Sequence, residues 1–171
     1  HEKRLKENVH DFVNNIDDRD YDVPELLHSL KTSLIEGIDI DNKYIIPSIY
    51  LKIMNDLYNF GKNNEVVQFA DKALQGSSFM DQRIIFEIRY LLCSALAKLR
   101  KDRFKDEVMK IEGADHEFLF GFYYRQIGRF DKALERINNS LKLRENFSKA
   151  KREKVQIYIG MQDYESALEL A

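Results

Sequence analysis

Leu5, Val9, Phe12, Val13 and Ile16 stand three, four and one positions apart, the spacing of a helix with one buried stripe. The polar run Asp17-Asp18-Arg19-Asp20 ends that segment, and Pro24 opens a second one. Leu26, Leu27, Leu30, Leu34 and Ile35 line it, and it stops at Gly37 before the loop Asp39-Ile40-Asp41-Asn42. Pro47 starts a third helix, predicted to bury Ile49, Ile53, Leu57 and Phe60 or their neighbours and to end at Gly61. After the turn Lys62-Asn63-Asn64, a partner helix carries Val66, Phe69, Ala70, Ala73 and Leu74 and closes at Gly76-Ser77-Ser78. A long helix over 81–99 follows, then a turn at Lys101-Asp102-Arg103. The next helix is short, with Phe104, Val108 and Ile111, and is predicted to end at Gly113. Phe118, Phe122, Tyr124 and Ile127 then precede Gly128, and Ala133, Leu134, Ile137 and Leu141 continue beyond the turn Arg129-Phe130-Asp131. A final unit starts near Ser148 and turns near Gln162-Asp163.

This succession of paired helices contains a repeat. Tyr124, Phe130, Ala133, Leu134 and Glu135 recur 34 residues later as Tyr158, Tyr164, Ala167, Leu168 and Glu169. Gly61, Ala73 and Leu74 stand two periods before Gly128, Ser140 and Leu141, to within a residue. A helix pair of this length cannot bury its apolar face alone and must stack on neighbours. The unit over 81–113 departs from the period, with a lengthened first helix and a shortened second one.

Gly121, Tyr124, Gly128, Phe130, Ala133 and Ser140, in that order, resemble the tetratricopeptide repeat. Tyr158, Tyr164 and Ala167 match it in the last unit, with Val155 in place of the first small residue and Glu145 where a closing proline is usual. The resemblance is specific over 114–171 and fair over 47–80. It implies an all-α, right-handed superhelical stack of about five antiparallel helix pairs. Residues 1–46 are expected to form a divergent N-terminal pair or cap, and 47–171 the array proper, its last repeat cut short.

Composition agrees with a folded helical chain. Hydrophobic residues make up 44% and charged residues 33% of the 171, with only two prolines and seven glycines to interrupt helices. A net charge of -2 gives no reason to expect nucleic acid as the partner. No apolar run is long enough to span a bilayer, and the first residues lack the apolar core of a signal peptide. The single cysteine, Cys93, lies in an apolar run and reads as core filler in a reduced, cytoplasmic compartment. The last residues read as a helix cut in mid-course, as expected for a piece of a longer protein.

The chemistry of enzymes is not apparent. His116-Glu117 begins like a zinc-protease motif, but Phe120 stands where the second histidine is needed. His10 and His28 have no ligand partner at the right spacing. The acidic loop at Asp39 lacks the glycine and closing glutamate of a calcium loop. Neither a phosphate-binding loop nor a nucleophile elbow is present. No cofactor, metal or catalytic group is expected.

The family resemblance implies a concave groove that takes a peptide or a partner protein. The residues it places there are Asn55, Tyr58, Phe118, Phe122, Arg125, Gln126, Lys149, Arg152 and Gln156. A basic stretch of Lys142, Arg144, Lys149, Lys151, Arg152 and Lys154, interrupted by Glu145 and Glu153, suits an acidic peptide. The clamp for chaperone tails does not fit. Asn55 matches one of its positions, but Leu51 and Asp115 stand where lysines belong. The expected role is a non-catalytic interaction scaffold. Its rivals are a regulatory or sensor arm of a larger bacterial signalling or defence protein, joined to an NTPase, and a self-assembly segment.

Overall fold

The computed structural model describes residues 47–75 and 81–171, with only the helical backbone for 47–50. The expected pair over 1–46, with His10, His28 and the Asp39 loop, lies outside the described residues, as do the Ile49 side chain and the Gly76-Ser77-Ser78 turn. Among the described residues the chain is helix and turn without strands. The helices are α1 (Pro47–Asn59), α2 (Asn63–Gln75), α3 (Gln82–Lys98), α4 (Arg103–Val108), α5 (Gly113–Gln126), α6 (Phe130–Leu143), α7 (Ser148–Gly160) and α8 (Tyr164–Leu170). Two compact units divide the chain, His1–Leu91 and Leu92–Ala171, with the boundary inside α3.

Each hairpin turns on one left-handed residue. These are Gly61 (φ +74°), Arg100 (+56°), Gly128 (+78°) and Gln162 (+61°). The N–H that follows each of them reaches five residues back: Lys62 to Leu57 (2.8 Å), Lys101 to Leu96 (3.0 Å), Arg129 to Tyr124 (2.8 Å) and Asp163 to Tyr158 (2.9 Å). The left-handed residue itself donates three residues back, so the carbonyls freed at the helix end are satisfied. Glycine meets this demand at two of the four turns, and Arg100 and Gln162 meet it against their own steric preference.

In the first unit α1 and α2 pack on one another. Ile53, Met54, Leu57, Val66, Phe69, Ala70 and Ala73 are buried there. Met54, the neighbour of Ile53, is buried, whereas Phe60 lies past the last turn of α1 and is 56% exposed. The turn falls at Phe60 to Lys62 and α2 already begins at Asn63, so Asn63 and Asn64, expected in the turn, belong to the helix; the acid Glu65 sits in the first turn of α2, where it complements the helix dipole.

In the second unit residues 92–97 of α3 are buried on every side, including Cys93 and Ser94. The short α4 buries Phe104 and Val108. Phe104 stacks on Tyr123 of α5 at 4.5 Å and meets Phe120 edge-on at 5.4 Å. Ile111 is buried in the connection after α4 rather than within the helix. Gly113, expected to end that helix, opens α5 instead, its φ of +74° turning the chain into the new direction.

The α5–α6 pair is the tightest hairpin. A Cβ at Gly121 would lie 2.5 Å from Ile137 Cδ1, 2.6 Å from its Cγ1 and 3.2 Å from the Ala133 carbonyl, so the small residue lets the two helices close. Ala133 and Ile137 are fully buried, and full burial of an isoleucine contributes about 1.5–3 kcal/mol. Ser140 Oγ donates to the Ala114 carbonyl at 2.8 Å. Along the edge of the pair Arg136 lies over the Phe120 ring at 4.5 Å and pairs with Glu117 at 3.3 Å.

Stacking of the next pair follows the period. Phe130 packs against α7 at Gly160, where a Cβ would collide with its ring. One period later Tyr164 is 59% exposed and Leu168 is 76% exposed. Asp163 caps α8 by accepting from the Ser166 N–H at 3.2 Å.

Candidate protein-interaction surface

Helix α7 is positioned from both ends. Before it, Phe147 is buried against Phe118 at 5.3 Å, with Arg144 over its ring at 4.5 Å. After it comes the Gln162 turn. Between them Ala150, Glu153 and Ile157, at positions i, i+3 and i+7, face inward. Lys149, Lys151, Arg152 and Gln156 are left exposed, and Lys154 is half-buried.

Glu153 is the one carboxylate of α7, and its position changes the charge of the surface. It is 5% exposed and accepts from Arg125 Nε through both oxygens, the longer contact being 3.1 Å. Burial pushes the Glu153 carboxyl above its ordinary value, and the hydrogen bond and charge of Arg125 pull it back only in part. The sequence reads Glu153 as an acidic break in a basic stretch. The structure turns it inward, so the exposed flank of α7 carries bases without an acid between them.

The predicted groove residues separate into four groups. Asn55 is exposed and donates to the Leu51 carbonyl of its own helix at 3.0 Å, and Tyr58 is half-buried; both belong to the first unit. Phe118 and Phe122 are each only 9% exposed and stack in parallel at 6.4 Å, so they pack the hairpins rather than meet solvent. Arg125 is half-buried, over the Phe122 ring at 5.5 Å and paired with Glu153; its neighbour Gln126 is also half-buried. Lys149, Arg152 and Gln156 share the exposed flank of α7. Elsewhere in the basic stretch Lys142 is exposed, while Arg144 pairs with Asp115 at 3.0 Å.

The inward turn of Glu153 is what sequence reasoning missed. Its signal was the spacing Ala150, Glu153, Ile157, which puts a carboxylate in the middle of the inward stripe.

Other chemistry is sparse. His116 Nδ1 lies 3.0 Å from the Val108 carbonyl and 2.9 Å from that of Ile111, so this nitrogen carries the proton and ties the α4 connection to α5. Among the described residues no cluster of three or more His, Cys, Asp or Glu could hold a metal, and no helix is long and apolar enough to cross a membrane. An open depression of about 530 Å³ lies beside the third turn, lined by Gly128, Arg129, Phe130, Asp131, Lys132 and Met161.

No protein-family model and no curated protein matches this chain. Among solved structures it is similar to MamA, from residue 41 to the end, of Desulfovibrio magneticus RS-1. That match has 18% identity and a TM-score of 0.55, over 99% of this chain and 90% of that one. A point mutant of MamA gives 17% identity and a TM-score of 0.50, over 98% and 93%. At such identities the likeness is one of fold: this chain is an all-α, tetratricopeptide-like succession of antiparallel helix pairs.

Proposed function

We propose that this chain is a non-catalytic interaction scaffold, and that the exposed flank of α7 receives an acidic segment of a partner protein. The observation that carries this reading is the inward turn of Glu153. With its carboxylate held by Arg125, the flank presents Lys149, Lys151, Arg152 and Gln156 with no acid of α7 beside them. A preformed helix displays these groups, so little ordering entropy opposes association. The test is capture of partners from the native cell extract with the wild-type chain and with Lys149→Glu/Arg152→Glu. An acidic partner held by the first and lost by the second supports the reading. Identical partners on both chains move the site elsewhere.

A further inference from the structure

We propose that Glu153 is an internal stand-in for the partner's acidic group, holding Arg125 closed to acidic peptides until it is exchanged. The inference rests on the α7 flank as the surface that meets an acidic partner.

Three features of the pair carry it. Glu153 is the one buried charged residue among those described, and its contact crosses from α7 to α5. Both of its oxygens converge on Nε of Arg125, whereas a full fork would also engage an Nη nitrogen. Arg125 keeps a quarter of its side-chain surface exposed, so an incoming carboxylate can reach the guanidinium from solvent. Around the pair, Lys149 stands one helical turn before Glu153 and Gln156 one turn after it, with Arg152 adjacent in sequence. An acidic peptide drawn to those groups arrives beside Arg125, where Glu153 already occupies the donor it needs. The contact is an autoinhibitory one, made of the same chemistry as the ligand.

The experiment is a fluorescence-anisotropy titration of a labelled oligo-glutamate peptide at about 0.15 M salt, where charges further apart than roughly 8 Å are screened. Five chains are compared: wild type, Glu153→Gln, the double variant Arg125→Gln/Glu153→Gln, Glu145→Gln, and Lys149→Glu/Arg152→Glu. The double variant replaces a lone arginine substitution, which would strand a buried carboxylate and unfold the hairpin contact. Far-UV circular dichroism and thermal melts confirm that each chain is folded.

Glu153→Gln is expected to tighten binding about tenfold, the scale of one charge-assisted hydrogen bond released to the ligand. The double variant should lose that gain. Glu145→Gln removes the same charge from an exposed position in the basic stretch and should change affinity by less than about twofold, as for any exposed charge. Unaltered or weaker binding by Glu153→Gln overturns the proposal. So does a gain that survives in the double variant or is matched by Glu145→Gln, since either would reduce the effect to net charge. If wild type binds and Lys149→Glu/Arg152→Glu abolishes it while Glu153→Gln gives no gain, the flank reading stands and the stand-in falls. If neither wild type nor Glu153→Gln binds at millimolar peptide, both fall together.

Discussion

Gly121→Ala puts the packing of the α5–α6 hairpin to a quantitative test, because two opposing effects act on one methyl group. In the interior of α5, alanine is favoured over glycine by about 0.8–1.0 kcal/mol of helix propensity. Against that, the new Cβ would sit 2.5 Å from Ile137 Cδ1 and 2.6 Å from Cγ1, with the Ala133 carbonyl at 3.2 Å. Ile137 is fully buried and Ala133 is fully buried beside it, so neither can withdraw into solvent. Forcing an extra methyl into a filled core typically costs about 1–3 kcal/mol, and the tightness of these contacts places this site in the upper half of that range. The net expectation is a loss of about 1–2 kcal/mol, measured by urea denaturation followed by far-UV circular dichroism.

The cause is separable from the cost. Ile137→Val removes Cδ1 and alone should cost about 0.5–1.5 kcal/mol. Combined with Gly121→Ala it removes the nearer of the two Ile137 contacts and leaves Cγ1, so the pair should be less destabilised than the sum of the singles, by up to about 1 kcal/mol. A Gly121→Ala chain as stable as wild type or more so would refute the claim that this glycine exists for close approach. Strict additivity of the two substitutions would do the same.

Three further expectations follow from other positions. Ala133→Leu, in the same closely packed seam, should cost about 1–3 kcal/mol by overpacking, and an unchanged melting temperature would contradict its placement. Gln162→Gly should stabilise the last hairpin by about 0.5–1 kcal/mol, because φ of +61° is strained for any residue with a Cβ; a loss of stability would mean that the Gln162 side chain contributes more than its backbone costs. Glu153 predicts a pH dependence of definite sign. Burial holds its carboxyl above the ordinary value of 4.5 despite Arg125, so the folded chain binds this proton more tightly than the unfolded one. Its stabilising contribution is complete below the ordinary value and is lost as pH rises through the folded one. The stability of wild type relative to Glu153→Gln should therefore increase as the medium is acidified through that window; the opposite trend would mean that Arg125 outweighs the desolvation.

What could be read without coordinates was whatever a local rule determines. Gly61 and Gly128 mark helix ends because glycine alone reaches positive φ without strain, and both take that conformation, although each following helix starts inside the turn expected for it. Gly121 and Ala133 were identifiable as small residues of a repeat, and both lie buried where α5 and α6 close on one another. Arg100 and Gln162 take the same backbone conformation without any compositional signal, since the demand comes from the hairpin and not from the residue. Phe60 was assigned to the core by its apolar character, yet it falls one residue beyond α1 and the stripe has already ended. Gly113 was read as a stop and acts as a start, because both ends of a helix can use a left-handed glycine.

The interaction surface was harder to read for a different reason. Charge in a sequence is counted along the chain, whereas a partner meets only what faces outward. Counted along α7, Glu153 offsets its basic neighbours; folded, it is spent on Arg125. The same contact commits Arg125 to Glu153, and Phe118 and Phe122 are committed to packing. Lys149, Arg152 and Gln156 remain as the exposed members of the predicted set on α7.

The most direct measurement for the scaffold reading places a photo-crosslinking amino acid at Gln156, on the flank, and separately at Glu135, exposed on α6. Each chain is illuminated in the native cell extract and the adducts are mapped by mass spectrometry. The account predicts an adduct at Gln156 that is absent at Glu135 and joins an acidic segment of one partner protein. Equal adducts at both positions, or attachment at Gln156 to segments without acidic character, would contradict it.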